Sequence, residues 1–131
     1  MISKTIVENI IQMNDKIHEG ESTETVVKSH AGEGIKEVLK GYSKEKKDLI
    51  AYIANLSFND IIDLGGLADY GRELYQKGEK YNNESFHPIR ANFFDAHEKE
   101  NNAEGKRHLA IYFVKMGSLL SDYLRQVLFM L

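Results

Sequence analysis

The chain has 131 residues and no cysteine, which fits a single domain and excludes disulfides, thiolate zinc sites and cysteine nucleophiles. With 17 basic and 20 acidic residues the formal net charge is −3, so no general electrostatic attraction to nucleic acid or anionic lipid is expected. One proline and the absence of alternating β-branched runs favour helices. We therefore expect one all-α domain over residues 1–131, without a cofactor.

The first predicted helix starts near the N-terminus and ends at Gly20. Its apolar residues recur every three or four positions from Ile2 to Ile17, which is the period of an amphipathic helix. Polar residues interrupt the apolar ones too often for an export signal or a membrane span, so the cytoplasm is the expected location. Residues 18–34 are polar and contain three glycines, which predicts a long loop, and a short helix should follow over residues 35–41.

Two serines predict the starts of the next two helices. Ser43 and Ser57 each precede an apolar helical pattern, and each hydroxyl can accept a backbone N–H as an N-cap. Gly65 and Gly66 predict either a kink in the second of these helices or the close approach of another helix. Gly78 predicts its end.

The last third of the chain predicts three more helices. Residues 78–87 form a second polar loop, and Pro88 is expected as the first residue of the following helix, where its missing N–H costs nothing. The final two helices should meet at Gly117 and Ser118, which would supply the turn and the cap. The whole pattern predicts a compact bundle of six or seven short helices with two polar loops.

Residues 49–74 and 106–124 resemble, in order, a family of short bacterial helical proteins known only as a domain of unknown function. The resemblance depends on Gly71-Arg72 and on the C-terminal run Leu119-Leu120-Ser121-Asp122-Tyr123-Leu124. It implies a helical domain in a bacterial cytoplasm. It carries over no catalytic residue, because none is established for the family.

Arg72, Asp122 and Tyr123 lie in the two segments that carry the resemblance, and they form the first candidate site. The favoured interpretation is an ion pair between Arg72 and Asp122 that closes the bundle, since charge pairs are more often structural than functional. The alternative is a ligand-binding cleft near Arg72, because a guanidinium fork binds carboxylates and other anions. Tyr70 and His108 would then line the same cleft.

Two further patterns are weighed against simpler explanations. His97, Glu104 and His108 would share one helix face and could bind a divalent metal if residues 91–115 formed an unbroken helix, but Asn101, Asn102 and Gly105 favour a solvated turn. The basic face of residues 36–47 could contact nucleic acid, although interleaved acidic residues favour an ordinary solvated helix. That face comprises Lys36, Lys40, Lys44, Lys46 and Lys47.

The chain ends in five consecutive apolar residues: Val127, Leu128, Phe129, Met130 and Leu131. One helix facing one core cannot bury all of them on a single stripe, and exposed contiguous apolar surface usually marks an interface. We therefore predict a protein-interaction surface here and a homodimer as the simplest assembly.

No motif supports an enzyme class, so the sequence favours a non-catalytic interaction or regulatory module, comparable to small inhibitor or immunity proteins. The alternatives are a small-ligand binder or enzyme with a cleft near Arg72, and a nucleic-acid accessory protein that uses the 36–47 face.

Overall fold

A computed structural model describes residues 1–19, 41–78 and 83–131, with the side chains of 83 and 84 excluded. These residues form six α-helices and two short 3-10 turns, which confirms the predicted all-α class. The helices are α1 Lys4–His18, α2 Lys44–Ala54, α3 Phe58–Lys77, α4 Asn83–His97, α5 Ala103–Val114 and α6 Ser118–Val127; the turns are Glu98–Glu100 and Leu128–Met130. The long loop and the short helix predicted for residues 18–41 fall almost entirely outside the described residues. No described helix combines the length and apolar character needed to cross a bilayer.

Side-chain caps begin four of the helices. The hydroxyls of Ser43 and Ser57 accept the backbone N–H groups of Lys46 and Asp60 at 3.2 and 3.1 Å, which confirms both predicted caps. Two caps were not predicted: the Ser3 hydroxyl starts α1, and the Asn102 side chain accepts the Gly105 N–H at 2.8 Å and starts α5.

Two predicted helix starts are wrong. Ser118 is the first residue of α6 and caps nothing; Gly117 takes the N-cap position, with a φ of 66° that glycine adopts without a Cβ clash. Helix α4 begins at Asn83, so Pro88 lies inside it. Pro88 has no N–H and therefore removes one main-chain hydrogen bond near the start of α4. The burial of Phe86 and Phe93, two side chains of the same helix, offsets that loss.

Helix α3 is the central element of the bundle. It packs against α6 and α4, while α5 packs on α2 and α1 contacts both α6 and α2. Gly71 lies directly against the backbone carbonyl of Tyr123 on α6, and Gly65 lies directly under the Phe93 ring of α4. Helix α3 continues unbroken through Gly65 and Gly66. Of the two predicted alternatives, these glycines therefore permit the close approach of another helix and do not produce a kink.

Two buried polar side chains fix how the helices meet. The Asp63 carboxylate, 5% exposed, accepts the Arg90 Nε–H at 2.5 Å and the Ile2 backbone N–H at 2.7 Å, which joins α4 and the start of the chain to α3. The Asn14 amide, fully buried, donates to the Gly117 carbonyl at 3.0 Å and to the Ser121 hydroxyl at 2.9 Å, which joins α1 to α6.

Most of the apolar C-terminal run, which was predicted to form an interface, is packed in or against the core. Val127 is fully buried in the core, so it cannot contact a partner. Helix α6 ends at Val127, and the 3-10 turn that follows changes the chain direction, so that Leu128, Met130 and Leu131 pack partly against the core. Phe129, 61% exposed, is the member of the run that faces outward. The prediction assumed a single continuous helix to the last residue, whereas the chain leaves the α-helix after Val127.

We expect Gly71→Ala to lower the free energy of unfolding by at least about 2 kcal/mol, since the new Cβ would overlap a backbone carbonyl that cannot rotate away. A glycine-to-alanine change inside a helix, where the new Cβ overlaps no other atom, would instead raise the free energy of unfolding by about 1 kcal/mol. Urea unfolding followed by circular dichroism measures the difference. Gly41→Ala is the control, since nothing lies within 4 Å of its Cβ position; equal effects at both sites would contradict the packing explanation.

Arg90→Gln should lower the free energy of unfolding by about 2 kcal/mol, because the buried Asp63 carboxylate then loses its hydrogen-bonded guanidinium and keeps only the Met1 ammonium group, 3.8 Å away, as a cation. The Ile2 N–H still reaches that carboxylate, which keeps the loss below the largest values for broken buried pairs. Arg107→Gln, a change at an exposed arginine of α5, should alter the free energy of unfolding in the same urea titration by less than about 0.5 kcal/mol. An Arg90→Gln protein as stable as the parent would refute the role given to this pair.

Candidate functional site

Aromatic rings connect α4 to α5 beside the middle of α3. The Phe93 ring, seated against Gly65, stacks on Phe113 of α5 with ring centroids 6.0 Å apart. His97 lies one turn after Phe93 on α4, and its ring centroid is 4.5 Å from that of Phe93 and 6.3 Å from that of Tyr112 on α5. Close packing at Gly65 therefore positions two polar rings, His97 and Tyr112, at the surface.

Charged side chains surround these two rings. His97 Nδ1 lies 3.1 Å from Glu100 Oε1, a hydrogen bond whenever Nδ1 carries the proton. On α3, Arg72 Nη2 lies 3.9 Å from Asp69 Oδ1, too far for a hydrogen bond. Because α3 passes beside the aromatic rings, the charges of Asp69 and Arg72 act on the Tyr112 hydroxyl.

The electrostatics of this region are set mainly by burial. Burial raises the pKa of the Asp69 carboxyl, the positive charges of Arg72 and His97 oppose that rise, and the Glu73 carboxylate adds to it. Burial also raises the pKa of the Tyr112 hydroxyl, with a further rise from the Asp69 charge and an opposing effect from Arg72. The Asp69 carboxylate is thus partly desolvated and only loosely paired.

The exposed aromatic side chain of Phe94 completes the region. It lies three residues before His97 on α4, a spacing that makes the two side chains surface neighbours. Phe94 is 38% exposed and Tyr112 is 40% exposed. We name this region the Tyr112 face, and it comprises Asp69, Arg72, Glu73, Phe94, His97, Glu100 and Tyr112.

An open depression of about 580 Å³ lies along α1, away from the Tyr112 face, and is lined by Gln12, Asp15, Lys16, His18 and Glu19. Among the described residues, no three His, Asp or Glu side chains come close enough together to hold a metal ion. Exposed rings beside charged groups on a rigid base are suited to contact with another macromolecule.

Part of the site predicted around Arg72 lies in or near the Tyr112 face. Arg72 itself belongs to it, and its side chain is 48% exposed. His108 precedes Tyr112 by one turn of α5 and lies 3.7 Å from Glu104. Tyr70, in contrast, is buried and stacks on Phe86 with ring centroids 6.2 Å apart, so it lines no open cleft.

The predicted ion pair between Arg72 and Asp122 is wrong. Arg72 lies near Asp69 on its own helix, and Asp122 lies 3.8 Å from Arg125 on its own helix. Adjacent residues of a helix point about 100° apart. Because Gly71 faces α6, Arg72 is turned away from it. Tyr123 is also outside the Tyr112 face: it is buried, and its ring makes an edge contact with Tyr75 at 5.7 Å.

The single helix that a metal site would have required is absent. The 3-10 turn Glu98–Glu100 and the Asn102 cap separate α4 from α5. As a result, His97 pairs with Glu100 while His108 pairs with Glu104, in two separate contacts.

The basic face of residues 36–47 is described only in part. Lys36 and Lys40 lie outside the described residues. Lys44 lies 3.8 Å from Asp48, and Lys46 lies over the Tyr42 ring at 5.7 Å. Within the described part, two of the lysines thus contact groups of the same chain, as the simpler interpretation expected.

Sequence reasoning missed Asp69, Tyr112 and Phe94 as members of a site. Asp69 lies three residues before Arg72, and that i, i+3 spacing was a usable signal. Tyr112 lies in an apolar run that predicted a central helix, so its partial exposure had no signal in the sequence.

Comparisons with known proteins give no match: no family model, no curated protein and no solved structure is similar to this chain.

We expect Asp69→Asn to leave the free energy of unfolding at pH 7 equal to or above that of the parent protein. Burial raises the pKa of folded Asp69, so ionisation opposes folding as the pH rises through that pKa, and the asparagine removes this opposition. Any advantage of the variant should therefore shrink as the pH falls back through the pKa of Asp69.

Urea titrations at a series of pH values from neutral to acidic measure this effect. Asp48→Asn is the matched control, since that exposed carboxylate forms a surface pair with Lys44 whose loss should cost only a few tenths of a kcal/mol, about 0.3. A clear loss of stability in Asp69→Asn at pH 7 would mean that attraction to Arg72 outweighs burial.

Proposed function

We propose that this protein is a non-catalytic protein-interaction module and that the Tyr112 face is its binding surface. The observation that carries the proposal is the exposed ring of Tyr112, whose centroid lies 6.3 Å from that of His97 and whose hydroxyl is within electrostatic range of Asp69 and Arg72. Protein interfaces are enriched in aromatic residues and arginine, and tyrosine and arginine dominate their most energetic positions.

The rigidity of the base supports this role. The His97 and Tyr112 rings both lie beside Phe93, which is itself packed on Gly65 and Phe113, so little side-chain freedom would be lost on binding. Tyr112 is 40% exposed and the Arg72 side chain 48% exposed, which suits a protein partner more than a small molecule, because a small molecule usually needs a concave pocket. The proposal retains the bacterial and cytoplasmic setting expected from the sequence.

The C-terminal end contributes less to this proposal than the sequence analysis expected. Only Phe129 of that run is largely exposed, whereas Val127 belongs to the core. The predicted homodimer is retained here as one form that the partner could take, namely a second copy of the chain.

A photoreactive phenylalanine analogue at position 112 should crosslink one discrete protein in cells that express this chain. The matched control is the same analogue at position 75, because Tyr75 is 49% exposed and its ring contacts Tyr123 of α6. With the captured partner purified, Tyr112→Ala should weaken binding at least tenfold, or about 1.4 kcal/mol. Mass spectrometry of the crosslinked species distinguishes a different protein from a second copy.

Crosslinking at position 75 but not at 112 would place the interface elsewhere. A small molecule retained by the untagged protein in native mass spectrometry, and lost in Arg72→Ala, would instead support the alternative of a ligand binder near Arg72.

A further inference from the structure

A short corner joins α4 to α5. It consists of the 3-10 turn Glu98–Glu100 and the two residues before α5. Asn102 supplies three of the hydrogen bonds that shape it. Its backbone N–H donates to the Glu100 carbonyl at 2.8 Å, and its side-chain amide donates to the Lys99 carbonyl at 3.2 Å. The same side chain accepts the Gly105 N–H at 2.8 Å, so the corner and the start of α5 are held by one residue.

Gly105 permits this corner to close. It is buried in the first turn of α5, and a Cβ at this position would lie directly on the backbone carbonyl of Glu100 and 2.5 Å from the Glu100 Cα. Backbone atoms cannot rotate away as the end of a flexible side chain can. A residue with a Cβ would therefore push α5 and the 3-10 turn apart.

The residues of the corner can also continue a helix. Residues 98–100 and 103–104 are good helix formers, whereas the two asparagines between them and Gly105 are poorer ones. Because residues 98, 99 and 101–104 are exposed, their polar groups reach water in both the bent and the straight form. The local cost of straightening the corner is therefore mainly the loss of the Asn102 hydrogen bonds.

The helices beyond the corner pack against the first half of the chain. Helix α5 packs on α2, and α6 packs on α3 and α1, whereas α4 packs on α3. A straightened corner would carry α5 and α6 away from these neighbours and expose their buried side chains to water. A second copy opened in the same way offers identical surfaces, so an exchange of α5 and α6 between two copies restores the lost burial.

We propose that the corner between α4 and α5 is a hinge through which two copies of this chain exchange α5 and α6, and that Gly105 keeps the hinge closed in the monomer. The exchanged contacts reproduce those within one chain, so this dimer needs no separate apolar surface. Short connections between well-packed elements are the usual hinges of such exchanges. The proposal goes beyond the Tyr112 face and does not depend on which partner binds there.

The test is light scattering on a size-exclusion column after refolding from urea over a series of protein concentrations. The parent should form a dimer only at the highest concentrations, because exchange is bimolecular. Gly105→Ala should raise the association constant at least about a hundredfold, since the new Cβ opposes the bent corner and alanine favours the straight helix in both chains.

The matched control is Gly71→Ala. Its Cβ also meets a backbone carbonyl, that of Tyr123, but at the contact between α3 and α6 and away from the corner. This variant should be destabilised and should associate no more strongly than the parent does. The comparison separates opening of the hinge from a general loss of stability.

A second measurement shows whether the dimer is an exchanged one. The Phe93 and Phe113 rings, with centroids 6.0 Å apart, belong to α4 and α5, so in an exchanged dimer their contact joins two chains. Carbon-13-labelled and unlabelled chains are mixed before refolding. Nuclear Overhauser effects between labelled and unlabelled chains should then connect these two rings.

If Gly105→Ala does not refold, Asn102→Ala takes its place, since it removes both side-chain hydrogen bonds of the corner without adding a clash. It should raise the association constant at least about tenfold. Three outcomes would overturn the inference: no gain in association in either hinge variant, equal gain in Gly71→Ala, or a dimer in which the two rings give no signal between chains. A different protein crosslinked at position 112 would support the proposed function in each of these cases.

Discussion

The seating of α4 on α3 is the constraint on which the Tyr112 face depends. Gly65 leaves space for the Phe93 ring, and Gly66 lets the Cα and Cβ of Arg90 come within about 3 Å of where its own Cβ would be. At that separation Arg90 reaches the buried Asp63 carboxylate. The end of α4 is thereby held against α5, and His97 comes to lie beside Tyr112.

Two aspartates of α3 have opposite roles for a simple physical reason. Asp63 is almost fully buried, a state that costs several kcal/mol unless the charge is paired and hydrogen-bonded, and Arg90 with the Ile2 N–H meets that condition. Such a pair also fixes the position of α4, because apolar packing alone tolerates sliding better than an ion pair does. Asp69 is less buried and lacks comparable hydrogen bonds. Its ion pair, with Arg72, is 3.9 Å long and within one helix, so it does not hold two helices together.

The sequence predicted those features that depend on local chemistry. The caps at Ser43 and Ser57, the all-α class and the close packing at Gly65 and Gly66 each follow from a residue's own backbone or side-chain properties. Features that depend on the direction of a helix in space were not predictable. Arg72 was paired with Asp122 because both lie in the segments that carry the family resemblance, whereas its neighbour Gly71 faces α6 and so turns Arg72 away.

The same distinction explains why the proposed interface lies in the middle of the bundle, whereas the sequence pattern predicted one at the C-terminus. An apolar run is visible in a sequence, but whether it is buried depends on a change from α-helix to 3-10 turn after Val127. The sequence does not show which rings of an apolar helix are exposed, because their exposure depends on where the neighbouring helices lie. Phe94 and Tyr112 are exposed on helices whose other faces are held by Phe93 and Phe113, so they combine apolar area with fixed orientation. Side chains of fixed orientation lose little conformational entropy when they are covered by another molecule.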